Sequence, residues 1–363
     1  MLSLRAVRRR KFCIRAVFLV SFFTTLVNTR FQPGDTAPLD KVGEAQPQSL
    51  AEIPNQLEKP PSVYEPLQRT FATIELTKVA DVELKDDPEA FFLAVLPINN
   101  TLYASYRTTL SSWETKVLEL DELFAPLPET MRRVSNTEDA RSIELNGVGW
   151  LIDNHFLQPR TMTRLDGRHR VVLDTSALGE NFERGKNWSP FVYQSQLFFV
   201  YSLLPLRILK CELPSGNLHW VYGVEASHDS KISMMNLGGI LKRGGTNGVV
   251  FDNFVYGVGR TTRYENINCS GVNHAHVAQH YPFLWRFHTS LLDSARVISN
   301  DGDIEFREIR HPFAHGVNDP ASLFVHNSSL YVTVSSCSCA CLPEFRRGNE
   351  WQHNSVFKVS LRE

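Results

Sequence analysis

Several short runs in this 363-residue chain carry side chains that could bind a ligand or move a proton on it. Glu138-Asp139-Ala140-Arg141 sets two carboxyls beside a guanidinium. A carboxyl can donate a proton to a leaving group when protonated, or accept one from a nucleophile when ionised. Arg141 could tune that carboxyl, grip a substrate, or simply brace the fold through an ion pair. The alternative for Glu138-Asp139 is a solvated loop pair. Lys186-Asn187-Trp188 offers a charge, an amide and an aromatic plane, the usual means of holding a sugar ring. Trp188 equally fits a packed core, the commoner place for a tryptophan. Arg243-Gly244-Gly245-Thr246 joins a guanidinium suited to a bidentate grip on an anion with glycines that let backbone approach a ligand. The same glycine pair reads as a plain β-turn. His274-Ala275-His276 has a metal-ligand spacing, but no carboxylate or third histidine stands at a matching offset. No metal and no cofactor are expected.

The elements that must position these residues are strands. A polar turn followed by an alternating apolar and aromatic strand recurs five times, at Asn100–Tyr106, Asn146–Ile152, Gln194–Tyr201, Asp252–Val258 and Asn327–Val334. Turn chemistry followed by a period of two is the hairpin signal. The recurrence interval, roughly 45 to 75 residues, is the scale of a four-stranded propeller blade. Helical periodicity is limited to one short stretch near Trp113 to Leu123. The predicted fold is all-β, a five-bladed β-propeller over residues 67–363, with a β-sandwich as the competing architecture.

In their order along the chain, these elements resemble the five-bladed propeller enzymes that cleave or make glycosidic bonds. The resemblance runs in particular to the family-130 mannoside phosphorylases and hydrolases and to the related family-108 β-1,2-mannosyltransferases, from about residue 99 to the C-terminus. It implies that Asp139 is the proton-transferring acid or base. The family pattern has proline where this chain has Ala140, which removes a stiffening ring but no reactive group. It implies further that the Arg243 region holds a phosphate, or in a transferase the phosphate of a donor, and that His274, His276 and Tyr281 contact the anion or the sugar. Relatives carry an Asn-Asp pair in the final blade. Here the strand after Asn327 runs into Ser335-Ser336-Cys337, and Asn318-Asp319 falls ahead of it and is given no role. Inverting hydrolysis would need a second carboxylate to activate water, for which Asp252, Glu265 and Glu138 are the candidates.

The rest of the chain bears on location. Six basic residues between Arg5 and Arg15 precede an apolar run from Ala16 to Val27. That is the pattern of a signal peptide or signal anchor. With no small-x-small cleavage site after the run, an uncleaved anchor at residues 12–28 is the favoured reading, and the positive-inside rule sends the remainder to the lumen. Residues 30–66 are proline-rich and short of aromatics, a composition suited to an extended stem. Sequons at Asn99, Asn268 and Asn327 fit a lumenal glycoprotein, whereas Asn187-Trp188-Ser189 is followed by Pro190 and is expected to stay bare. Cys13 lies in the apolar segment. The other cysteines, Cys211, Cys269, Cys337, Cys339 and Cys341, are odd in number and suggest disulfides with one thiol left over. A net charge of -1 excludes nucleic acid as the main partner.

Together these readings predict a single-pass type II protein of the Golgi or ER membrane, with a secreted form as the alternative. Its expected activity is that of a glycosyltransferase, taking a sugar-phosphate or nucleotide-sugar donor and a glycan acceptor. A membrane-bound hydrolase or phosphorylase and a non-catalytic glycan- or protein-binding propeller are the other readings.

Overall fold

The computed structural model describes residues 73–108, 114–135, 139–153, 160–178, 187–223, 241–269, 272–293, 300–309, 317–337 and 352–362. They belong to a compact unit, Pro66–Glu363. The expected basic tail and anchor (1–29), the stem (30–66), Glu138, Lys186, Cys339 and Cys341 lie outside the described residues.

Five antiparallel sheets are present. Blade 1 is β2 (Phe91–Ile98), β3 (Thr101–Arg107), β4 (Thr115–Leu120) and β5 (Pro126–Ser135). Blade 2 is β6 (Arg141–Leu145), β7 (Val148–Ile152), β8 (Thr161–Arg164) and β9 (Arg170–Val172), and blade 3 is β10 (Ser189–Tyr193), β11 (Gln196–Leu203), β12 (Leu206–Glu212) and β13 (Asn217–Tyr222). In blade 4, β14 (Leu241–Gly244) and β15 (Val249–Phe251) both pair with β16 (Phe254–Cys269), followed by β17 (Val272–His288) and β18 (Glu305–Glu308). Blade 5 holds β19 (Val317–His326), β20 (Ser329–Cys337) and β21 (Gln352–Arg362), and its outer strand is β1 (Thr73–Asp81) from the start of the domain. Pairing the first strand with the last closes the ring and removes an open edge.

The five sequence repeats are the turns joining the innermost strand of each blade to its neighbour. Each has two successive residues of positive φ: Asn99 and Asn100, Asn146 and Gly147, Gln194 and Ser195, Asp252 and Asn253, Asn327 and Ser328. That is the type I′ geometry whose twist matches a two-residue hairpin, and Asn, Asp and Gly tolerate it best.

Among the described residues, hydrophobic cores fill each of the five gaps between successive blades, so both faces of most strands are covered. Leu96, Val117, Ala140, Leu151 and Leu165 join blades 1 and 2. Trp188, Phe199, Met162 and Leu209 join 2 and 3; Phe191, Phe198, Trp285 and Phe287 join 3 and 4; Val258, Leu284, Val332 and Phe357 join 4 and 5. The ring closes where Leu93, Val95 and Tyr106 meet Phe324 and Val356. Side chains of this size contribute about 1.5–3 kcal/mol each when buried.

The stretch expected to form a short helix is instead strand β4, with Val117, Leu118 and Leu120 buried and ladders to β3 and β5. Its apolar residues face two neighbouring blades at once, which obscures the period of two. Cys211 is a free thiol in the blade 2–3 core, and burial pushes its pKa up to about 12, leaving it inert. Among the described residues no helix is long and apolar enough to cross a membrane.

Candidate functional site

The inner strands β2, β6, β10, β14 and β19 begin at the end of the ring opposite the type I′ turns, and charged side chains gather there. Asp139 precedes β6 with φ at 46°. Its Oδ1 accepts a 3.2 Å charge-assisted bond from Nη1 of Arg107, at the end of β3, which ties blade 1 to blade 2. The Asp139 side chain is 23% exposed, enough for a ligand to reach it.

Arg141, the first residue of β6, is 1% exposed. Its Nη1 donates to the carbonyl of Asp139 at 2.8 Å and its Nη2 to Oδ1 of Asn187 at 3.3 Å, while the guanidinium lies 4.2 Å from the centre of the Phe92 ring. Burial pulls its pKa down to about 9, opposed chiefly by the Asp139 charge, so it stays protonated at neutral pH. An arginine held this way fixes the Asp139 turn from beneath. It cannot also reach out to a ligand.

A second cluster joins blades 4 and 5. Asp319, on the inner strand β19, accepts from Nη1 of Arg260 on β16 and lies 2.7 Å from Nδ1 of His280 on β17. Burial alone would raise this carboxyl, but Arg260 and His280 outweigh it and hold the pKa down to about 2. Asn318 donates from Nδ2 to the carbonyl of His280 at 3.4 Å. Arg243, exposed on β14 and paired in register with Arg260, has its pKa lowered by partial desolvation and then by the Arg260 charge. The two clusters share one electrostatic neighbourhood, since Arg141 feels the charges of Asp139, Arg260 and Asp319. Among the described residues, Arg107, Arg141, Arg160, Arg243 and Arg260 outnumber Asp139, Asp153 and Asp319 here, a cationic surplus that suits an anionic ligand.

Of the residues singled out from sequence, Asp139, Arg141, Asn187 and Arg243 therefore come together. Asn187 has φ at 69° and is buried. By contrast, Asn99, Asn268 and Asn327 are exposed. Trp188 is 1% exposed, with Arg160 stacked 4.0 Å over its ring and Phe199 and Tyr201 at its edges, so no face is left for a sugar. Gly244 and Gly245 serve close approach of protein backbone. A Cβ on Gly244 would lie 2.5 Å from the carbonyl oxygen of Asn187, and one on Gly245 2.5 Å from that of Val258. Thr246 is fully buried, its hydroxyl bonded to the carbonyl of Asn247 at 2.6 Å and to the Val258 amide at 3.0 Å, so it too stitches strands.

Tyr281 donates to Glu265 at 2.8 Å from the ribbon face opposite His280 and does not join the cluster. His274 and His276 belong to β17, and their side chains lie outside the described residues. Asp252 is exposed in the type I′ turn of blade 4, at the far end, and Glu265 is taken by Tyr281, so neither faces Asp139 as a second carboxylate. Among the described residues there is no group of three or more His, Cys, Asp or Glu side chains placed to hold a metal.

Sequence reasoning left out Arg107, Arg260, His280 and Asp319. Asn318-Asp319 does precede the strand after Asn327, as expected, but it opens β19, the inner strand of blade 5. The signal was available: an apolar run from Pro320 to Val325 reaches from Asp319 to the last turn, which is one full inner strand.

No family model matches the chain. It is 34% identical over 100 residues to beta-mannosyltransferase 3 of Candida albicans, a segment amounting to 28% of this chain and 16% of that protein. Among solved structures it is similar to a mannose phosphorylase from Leishmania mexicana in complex with phosphate ion, with a TM-score of 0.43, 11% identity, and coverage of 77% of this chain and 88% of that one. It is likewise similar to a GDP-Man-dependent mannosyltransferase from Leishmania mexicana, with a TM-score of 0.45, 8% identity, and coverage of 81% and 91%.

Proposed function

We propose that the propeller is a mannosyl-transferring enzyme that takes a phosphate-bearing donor and uses Asp139 as its general acid or base. The observation that carries this reading is a partly exposed carboxyl, held in a left-handed turn by a buried arginine, at the rim of an arginine-rich mouth. Arg107 keeps the Asp139 carboxylate oriented, and Arg243 with Arg260 supplies positive charge where a donor phosphate would develop charge as the glycosidic bond breaks. With the carboxylate as base, the acceptor hydroxyl gives its proton to Asp139 as its oxygen bonds the anomeric carbon and the phosphate departs with the bonding electrons. Run in reverse, protonated Asp139 is the acid that releases the alcohol while phosphate attacks. Asp319 is clamped as an anion by Arg260 and His280, so it positions those side chains and is unsuited to proton transfer. The mannosyl specificity is supported by the names of the relatives above.

The basic tail and apolar run at the N-terminus, with exposed sequon asparagines at Asn99, Asn268 and Asn327, support a lumenal, membrane-anchored placement in the secretory pathway. The test is turnover by the 67–363 domain against mannose 1-phosphate, GDP-mannose and mannobiose with phosphate, comparing wild type with Asp139→Asn. Removing a general acid or base is expected to cost about 10²–10⁴ in rate with the fold unchanged. Turnover unaffected in the variant would overturn the assignment. Glycan binding equal in both proteins, with no turnover on any donor, would mark the propeller as a binding module.

A further inference from the structure

Strand β1 leaves blade 5 at Asp81, and the chain reaches β2 at Phe91 through a connector fixed by its own hydrogen bonds. Val82 donates to the carbonyl of Asn354 at 2.7 Å, Asp87 to that of Leu84 at 3.0 Å, and Ala90 to that of Asp87 at 2.8 Å. Between this connector and blade 1 lies a cleft of about 500 Å³, a size usual for ligand sites. It is separate from the mouth. Tyr106 and Arg107 are neighbours on β3 and so point to opposite faces. Tyr106 donates to Asp87 at 2.8 Å in the cleft, while Arg107 bonds Asp139 at the mouth.

The cleft is apolar within. Leu84 and Leu118 are buried at its base, and Pro126, Pro128 and Met131 of β5 wall it. Leu123 stands at the lip and is 80% exposed. An exposed leucine alone is ordinary. This one is held out by its turn: Oδ1 of Asp121 accepts from the amides of Leu123 and Ala125, both at 2.8 Å. Phe124, with φ at 64°, swings the other way, onto Phe324 and Tyr331. The lip therefore extends the apolar wall outward rather than folding over it.

The rim is acidic. Asp81, Glu83, Asp86 and Asp87 line it against one cation among the described residues, Lys85. Lys78 answers Asp81 and Lys116 answers Asp87. Glu83 and Asp86 are exposed, and no cation among the described residues pairs with either. Carboxylates in this number repel an anion. A sugar ring would need an aromatic plane, but Tyr106 of the lining is 2% exposed, with its hydroxyl bonded to Asp87 and Met131.

We infer that this cleft docks a short segment of a partner protein in which aliphatic side chains stand beside Lys or Arg. The aliphatic groups cover Leu123, Met131 and the two prolines, and removing that surface from water supplies the affinity. The cations meet Glu83 and Asp86, which choose the partner's sign of charge and hasten its arrival. Mannosyl transfer at Asp139 is not required for it.

The experiment measures fluorescence anisotropy of three labelled peptides with the 67–363 domain, the compact unit described above: Arg-Arg-Leu-Leu-Arg-Arg, Arg-Arg-Gly-Gly-Arg-Arg and Glu-Glu-Leu-Leu-Glu-Glu. The first binds wild type at least about tenfold more tightly than either of the others, and its affinity falls as salt is raised from roughly 50 to 500 mM. Glu83→Lys with Asp86→Lys abolishes the preference for the basic over the acidic peptide. Leu123→Asp abolishes the preference for leucine over glycine. All three positions are exposed, and a thermal midpoint equal to that of wild type shows that each variant is folded. No binding of the first peptide, equal binding of all three, or preferences unchanged in both variants would overturn the docking site. Sedimentation in which wild type self-associates and the Glu83→Lys, Asp86→Lys protein does not would hand the cleft to a second copy of this chain and overturn the partner segment.

Discussion

The five inner strands have two ends built on opposite terms. At the turn end each blade does the same thing, two left-handed residues closing a hairpin, and most of those residues are Asn, Asp or Gly, for which the conformation costs little. At the mouth end a left-handed residue also recurs, seven positions before the turn in blades 1 to 3, but the side chain it carries differs each time. Left-handed backbone falls on Phe92, Asp139 and Asn187, and Phe92 has no chemical excuse for φ at 60°. Those three residues are the ones Arg141 holds together, by its stack on Phe92 and its bonds to the Asp139 carbonyl and the Asn187 amide oxygen. Repetition at one end lets any blade follow from its neighbour's pattern. A change of side chain on a shared backbone at the other is what a site drawn from several blades requires, because each must bring a different group.

That contrast is tested most sharply at Arg141. Arg141→Ala should remove about 3–5 kcal/mol of stability, since it empties a buried site and strands the polar groups that the guanidinium satisfied. Urea unfolding of the variant measures this. A loss below 1 kcal/mol would mean that the mouth does not depend on its buried cation.

The next largest effect is pH-dependent. Asp319 is held down to about 2 in the folded state against an ordinary 3.8, so its clamp contributes fully above pH 4 and is lost as pH falls through about 2. The amount at stake is roughly 2 kcal/mol. Asp319→Asn should therefore unfold more easily than wild type at pH 6, and the gap should close toward pH 2. A gap that stays constant with pH would remove the ionised clamp from the account.

The smallest effect belongs to the other end. Gly147 has φ at 76° and open space where a Cβ would stand, so Gly147→Ala should cost only about 1 kcal/mol, all of it conformational. Turnover measured on the folded variant should match wild type. A large loss of activity from this turn would break the division of labour between the two ends.

From the sequence alone the blade count could be read, because a type I′ turn needs particular residues and a strand after it must alternate. Those are local demands, written in neighbouring positions. Asp139, Arg141, Asn187 and Arg243 could be picked out as well, by the side-chain types in their short runs and the resemblance of those runs, in order, to the propeller enzymes. What could not be read was which side chains of a marked stretch face the mouth. Trp188 follows Asn187 directly, yet Arg160 and Tyr201 of other strands enclose it, and alternation along one strand says nothing about them. Arg107, Arg260 and His280 stand on second and third strands, where a charged residue in sequence looks like any solvated one. Only the ring brings them to Asp139 and Asp319. Their partners are 32, 59 and 39 residues away, and the closure of five blades around one axis is what turns that separation into contact.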